Sequence, residues 1–373
     1  MRFETNRQRR ARDPYPDHLR RIIGLAAHEK ARDTIRSWNG YRPSPLVSAD
    51  LLAAQLGIGK LWIKDEGARF GLGSFKALGG AYGVAQVVAR SHGAAGDITV
   101  ACASDGNHGR AVAWGAQRSG CLARIYLPRH VTPARAAAIA ALGAEVVRVD
   151  GEYDDAVRQA EIDARESGMI VVTDTAYTGQ EDIPRLVMQG YTVMVEEVLE
   201  QAGGERPTHV FVQGGVGGLG AAVLGHLWER LGPPLPRVVL VEPEEADCLT
   251  ATVRAGTPTP TEGTLETIMA GLSCRHVSTL AWEVLRHGIH GAMTVPEEGV
   301  APAMRALARG AAGVPMEAGE SGVVGLLGLM KAASDPELRR LLGLNREAGV
   351  LVFITEGATD PDLYRRIIHG DES

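Results

Sequence analysis

Beyond residue 76 the sequence alternates short apolar runs with helical segments, and this alternation restricts the fold more than any other feature. Apolar runs at 98–103, 123–127, 145–149 and 169–173 are separated by helical patterns over 77–91, 109–120, 133–142 and 153–166. Short runs that are apolar on both faces, joined by helices of roughly ten to fifteen residues, predict parallel strands with crossover helices. Gly143 marks one point where a helix stops and a strand begins. After a polar break at 174–184 the pattern resumes with a helix over 186–201, a strand over 210–212, a glycine loop with its helix, and a strand over 237–241. It fails at 255–263, where Thr, Pro and Gly dominate. Helices return from Leu280, and a last strand over 350–355 precedes a final helix. The expected fold is therefore α/β with two lobes, each a mostly parallel sheet flanked by helices. The small lobe covers 77–185, and the large one combines 1–76 with 186–373.

Upstream, residues 18–35 and 49–56 read as helices, the second closed by Gly57, and 61–64 reads as a strand. The chain has 373 residues, enough for two lobes that each bury a core. Its net charge is −6 and its aromatic content 5%, which argues against a nucleic-acid partner. The basic cluster between Arg7 and Arg12 is short and isolated, and reads as a solvated arm. No apolar run reaches the length of about eighteen residues that a membrane span needs. The charged N-terminus lacks the apolar core of a signal peptide, so a cytoplasmic location is expected. The four cysteines form no CxxC pair, and no metal site is expected.

Four stretches carry chemistry. In Gly71-Leu72-Gly73-Ser74-Phe75-Lys76 a lysine sits where a glycine loop turns into a helix. In a pocket, such an amine can form a Schiff base with a carbonyl cofactor; taken alone, the stretch fits a surface lysine in a turn equally well. Ser104-Asp105-Gly106-Asn107-His108-Gly109 follows a strand, where open parallel sheets bind ligands. Gly214-Gly215-Val216-Gly217-Gly218 also follows a strand, and its backbone N–H groups suit a phosphate. With Glu242 at the end of the next strand, it also fits a dinucleotide turn loosely. The hydroxyl of Thr355, ending the last strand, can hydrogen-bond a ring nitrogen without protonating it.

In this order the four resemble the fold type II, tryptophan-synthase-β-like family of pyridoxal-phosphate enzymes. The resemblance runs over nearly the whole chain from about Pro43. Within that family the chain is most similar to the diaminopropionate ammonia-lyases. The residues that carry this are Lys64-Asp65-Glu66 with the lysine loop, Asp105 to Arg110, Asp174-Thr175-Ala176, Met188 to Thr192, Glu242-Pro243 with Ala246-Asp247-Cys248, Thr267 to Leu272, and Thr355 to Pro361. Tyr177 departs from the pattern, standing where the family carries a tryptophan.

The resemblance implies a carbon–nitrogen lyase that converts 2,3-diaminopropionate to pyruvate and two ammonia, with both D and L isomers as candidate substrates. Lys76 is implied to carry pyridoxal 5′-phosphate, with Phe75, Asn107, the stretch Gly214 to Gly218 and Thr355 around it. Ser104, Asp105, Gly106, His108 and Asp174 are implied to receive the substrate, and Lys76, Asp105 and Asp174 to move protons. His108 is expected to shape its loop rather than act as the base. The alternative is a dehydratase of serine, threonine or another 3-hydroxy amino acid; such enzymes carry a small residue where Asp105 stands. A homodimer is the family expectation, and a disulfide between Cys248 and Cys274 matches two family cysteines.

Overall fold

A computed structural model describes residues 1–370 except Ala11, Asp105, His130 and Thr178. The chain is α/β, with two mostly parallel sheets flanked by helices, as the alternation predicts. Eleven strands are present among the described residues: β1 (Phe3–Thr5), β2 (Leu46–Ser48), β3 (Lys60–Asp65), β4 (Thr99–Ala103), β5 (Leu122–Leu127), β6 (Glu145–Arg148), β7 (Ile170–Val171), β8 (His209–Gln213), β9 (Arg237–Pro243), β10 (Gly291–Val295) and β11 (Gly349–Ile354). The larger sheet has the order β1-β10-β9-β8-β11-β3-β2, parallel throughout except for its two edge strands. The smaller sheet, β6-β5-β4-β7, is wholly parallel.

The central strands are buried on both faces. In β11, Leu351 and Phe353 join the core that contains Trp228 and Tyr191, while Val350, Val352 and Ile354 join the one that contains Phe211 and Leu327. Period-two alternation thus feeds two apolar layers, and each fully buried side chain of this size contributes about 1.5–3 kcal/mol. Small residues set the helix spacing. The helix Lys76–Arg90 lies against Asp182–Gln201 so closely that a Cβ on Gly190 would stand 2.0 Å from the Leu78 carbonyl oxygen. Gly190→Ala would force the two helices apart.

Several boundaries differ from the sequence expectation. The helix expected over 18–35 is a 3₁₀ turn, Asp17–Arg21, followed by the helix Leu25–Arg36. Gly24 separates them, where a Cβ would meet the Arg20 carbonyl oxygen at 2.5 Å. The helix Asp182–Gln201 starts earlier than expected because Pro184 lies in its first turn, where no N–H is required. β7 is shorter than the expected strand over 169–173, and β1, β2 and β10 were not expected. The basic N-terminal stretch is not a solvated arm: Arg9 donates to the carbonyls of Leu235, Pro236 and Gly288, and Arg10 N–H to that of His287. No helix among the described residues is long and apolar enough to cross a membrane.

Candidate active site

The carboxyl ends of parallel strands β3, β4, β8 and β11 open on one side and deliver the four chemical stretches to one place. Beyond β3 the chain is anchored by buried charge. Arg69 makes one fork to Glu66 (2.7 and 2.8 Å) and another to Glu197 (2.7 and 2.9 Å), and Lys64 Nζ lies 2.8 Å from Glu197. All four side chains are buried. Bidentate forks are geometrically demanding, so they fix the turn that leads into the lysine loop. The loop is then stitched to the end of β11: Phe75 N–H donates to the Thr355 carbonyl at 3.0 Å and Gly357 N–H to that of Gly73 at 2.9 Å. Lys76 opens its helix.

Lys76 Nζ reaches Asp174 Oδ2 at 2.6 Å. Burial works against the ammonium, but the Asp174 carboxylate and, behind it, Tyr191 together outweigh it and raise Lys76 above the ordinary lysine range. Burial likewise opposes the carboxylate; Lys76, then His108, outweigh it and hold Asp174 below the usual carboxylate range. The Phe75 ring lies 5.5 Å from Nζ and packs on Tyr191, with ring centroids 4.7 Å apart.

In the loop after β4, the Ser104 hydroxyl accepts from the N–H groups of Gly106 (3.0 Å) and Gly109 (2.8 Å), so this side chain braces its own loop. His108 Nε2 sits 2.9 Å from the Val172 carbonyl oxygen, which makes it the protonated nitrogen. Its Nδ1 is buried without a partner among the described residues. Burial, with the Lys76 ammonium behind it, pushes His108 below the usual histidine range although Asp174 opposes this. The Asn107 amide donates to Glu356. Asp105 lies outside the described residues.

After β8, Gly215 (φ 59°) and Gly217 (φ 93°) adopt the left-handed conformation that favours glycine. The helix Gly218–Leu231 begins immediately afterwards. The N–H groups of Gly215, Val216, Gly218 and Leu219 have no acceptor among the described residues. A cradle of unsatisfied N–H groups at a helix N-terminus suits a phosphate, and the Thr355 hydroxyl, which makes no hydrogen bond among the described residues, suits a ring nitrogen. The residues present therefore fit pyridoxal phosphate. A dinucleotide ribose does not fit: Glu242 is fully buried and accepts from the N–H groups of Leu249 and Thr250 and from the Thr250 hydroxyl, capping the helix Cys248–Ala255. Cys248 and Cys274 flank Gly215 without a disulfide.

A cavity of about 750 Å³ gathers these groups. Phe75, Lys76, Ser104, Gly106, Asn107, His108, Asp174, Gly214, Gly215, Val216, Gly218 and Thr355 line it, while Gly217 lies behind the lining. Tyr191, Gln213, Ser321 and Glu356 also line it, though the sequence reading assigns none of them to the site. Tyr191 belongs to the stretch Met188 to Thr192 that carries the resemblance, and Glu356 adjoins Thr355, so both had a local signal.

Residues 38–355 match the family model described as pyridoxal-phosphate dependent enzyme. The diaminopropionate ammonia-lyase of Escherichia coli (strain K12) is 40% identical over 349 residues, 88% of each chain. That of Salmonella typhimurium (strain LT2) is 36% identical over 377 residues, 94% of this chain and 92% of its own. A crystal structure of the Escherichia coli diaminopropionate ammonia lyase in complex with an aminoacrylate-PLP azomethine reaction intermediate superposes with a TM-score of 0.90 at 37% identity, covering 100% of this chain and 97% of that one. The chain belongs to the pyridoxal-phosphate-dependent enzymes and, within them, to the family of the diaminopropionate ammonia-lyases.

Proposed function

We propose that this protein eliminates the β-amino group of 2,3-diaminopropionate and, with one water consumed, releases pyruvate and two ammonia. The observation that carries the reading is the 2.6 Å contact of Lys76 Nζ with Asp174 Oδ2 inside the cavity. An amine that must serve as anchor and base has to shed and regain a proton, and Asp174 is an acceptor in direct contact. When bound, the cofactor supplies an electron sink for the pair left at Cα. Lys76 anchors it, the N–H groups of Gly215, Val216 and Gly218 hold its phosphate, and the Thr355 hydroxyl meets the ring nitrogen. Backbone N–H groups of the loop from Ser104 to His108 receive the substrate carboxylate, which agrees with a Ser104 hydroxyl already engaged inside the loop.

A β-ammonium leaving group calls for carboxylates. Asp174 and Asp105 hold and move its proton, and one of the two serves the face of Cα opposite to Lys76, which opens the site to both D and L substrates. The division into a large unit, 1–76 with 186–373, and a small one, 77–185, belongs to the same proposal, supported by the sheet to which each strand belongs. So do a homodimeric assembly and a cytoplasmic location.

The test is the absorbance of the purified protein with and without diaminopropionate, together with pyruvate release from D- and L-diaminopropionate, serine and threonine at equal concentration. A yellow protein whose band is bleached by diaminopropionate, with pyruvate formed faster from it than from serine, is the expected result. Faster release from serine overturns the assignment in favour of a dehydratase. In Asp105→Asn, wild-type rates with both enantiomers would remove Asp105 from the reaction.

A further inference from the structure

Glu356 is only 4% exposed, lines the cavity and has no cation paired with it among the described residues. Its hydrogen-bond donors are neutral. The Ser321 backbone N–H donates to Oε1 at 3.0 Å, and the Asn107 side-chain amide donates to Oε2. A carboxylate out of water is costly unless its acceptors are filled, and the fold is shaped to fill these. The turn around residues 319–322 is pressed onto Glu356: a Cβ on Gly319 would stand 3.0 Å from its Cγ, and one on Gly322 would stand 2.4 Å from its carbonyl oxygen. Gly319 N–H donates to that carbonyl at 2.9 Å, and Ser74 of the lysine loop bridges to Glu356 across the strand end. The field of this carboxylate is felt next door: burial first, then Glu356, pushes Glu320 up to about 7.

The partner chosen by Glu356 matters because an asparagine amide has two ends of opposite hydrogen-bond sense. An ionised carboxylate only accepts, so it holds the NH₂ end of Asn107 toward itself and thereby fixes the rotation of the amide. The second N–H of Asn107 has no acceptor among the described residues, and Asn107 lines the cavity. Asn107 opens a helix behind the smaller sheet, while Glu356 follows β11 of the larger one, so this one contact joins the two sides of the cavity.

We propose that Glu356 is a positioning residue that acts through Asn107, setting the orientation of its amide and polarising the N–H that remains for the cofactor ring. Hydrogen bonds in series reinforce one another in a low-dielectric site, so loss of the carboxylate weakens the outer N–H as well as freeing the amide to turn. The inference rests on the assignment of Asn107 to the cofactor made above.

The test is a double-mutant cycle of Glu356→Gln, Asn107→Ala and the pair. It is read three ways: unfolding of the cofactor-free proteins, cofactor affinity, and the pH titration of the cofactor's absorbance band. Glu356→Gln is expected to weaken cofactor binding by about tenfold and to move the midpoint of the band by about half a unit or more. Its kcat for diaminopropionate falls more than its KM rises, and the double variant is no worse than Asn107→Ala alone. Additive losses, or a Glu356→Gln protein with wild-type band and affinity, would overturn the proposal. If Asn107→Ala keeps wild-type affinity and band, the placing of Asn107 on the cofactor fails instead, and the unfolding cycle still decides whether Glu356 holds Asn107. Should Glu356→Gln not fold, Glu356→Asp, which withdraws the charge by one methylene, is read against the same outcomes.

Discussion

Lys76 Nζ and Asp174 Oδ2 stand 2.6 Å apart although 98 residues separate them in the chain. The lysine opens a helix behind β3, and the aspartate follows β7 of the other sheet. Each shifts the titration of the other so as to keep both charged. Asp174→Asn keeps the shape and removes the proton acceptor. The expected result is a kcat for pyruvate release lower by about 10²- to 10⁴-fold, the usual worth of a placed acid–base group. A rate within about threefold of wild type, a small fraction of that worth, would take Asp174 out of the proton path.

The same pair sets a pH window for the cofactor-free protein. Asp174 lies below its ordinary 3.8 in the fold, so its contribution is fully present above that value, begins to fade below it, and is lost as the pH falls through the lower value it has in the fold. Lys76 lies above its ordinary 10.5, so its contribution is fully present below that value, begins to fade above it, and is lost as the pH rises through the higher value it has in the fold. Wild type should therefore exceed Asp174→Asn in unfolding free energy by about 2 kcal/mol across roughly pH 5 to 9. The gap should begin to narrow as the pH falls below about 4. Urea titrations at several pH values measure it, and a gap that stays constant down to pH 3 would assign the loss to packing.

The charge cluster upstream of the lysine loop predicts a larger loss. Glu197 answers both Arg69 and Lys64 and also accepts from Tyr41 (2.9 Å) and from Ser44 N–H (3.1 Å). Glu197→Gln leaves two buried cations facing Glu66 alone, and the expected cost is about 3–5 kcal/mol. Adding Lys64→Met removes one cation at similar volume and should recover more than half of it. Urea unfolding of the two variants decides this, and no recovery in the double variant would mean that geometry rather than charge was lost.

The sequence makes the βα alternation and the strand-end loops legible because both are local: apolar runs about six residues long, glycines where the chain turns, polar residues clustered at strand ends. What escapes it depends on partners far along the chain. β1 is a polar stretch that becomes a strand only by pairing with β10, and β10 itself opens on Gly-Ala-Met, with its β-branched residues only at the end, and follows closely on a helix. Glu356 reads as one more polar residue beside Thr355 until Asn107, 249 residues away, is brought against it. Glu242 reads as a free acid at a strand end, yet the backbone of the next helix fills its oxygens.

Gly217 separates backbone strain from binding. At φ 93° any side chain is strained, by about 1–2 kcal/mol, and a Cβ there would also meet Leu285 at 3.0 Å and Ala281 at 3.3 Å. The residue immediately precedes the helix whose first N–H groups point from the cradle. Relief of the strain must rotate the peptide toward Gly218 and so misdirect the N–H groups of Gly218 and Leu219. Gly217→Ala is expected to weaken pyridoxal phosphate binding by about tenfold or more, since each charge-assisted hydrogen bond carries about that factor. Gly203→Ala is the control: it has φ 62°, open space around its Cβ and no place on the cavity lining. It should lose similar backbone stability and keep wild-type affinity. Titration of both cofactor-free variants with pyridoxal phosphate, followed by absorbance and by thermal unfolding, gives the comparison. Equal affinities in the two variants would mean that the cradle does not depend on the left-handed turn at Gly217.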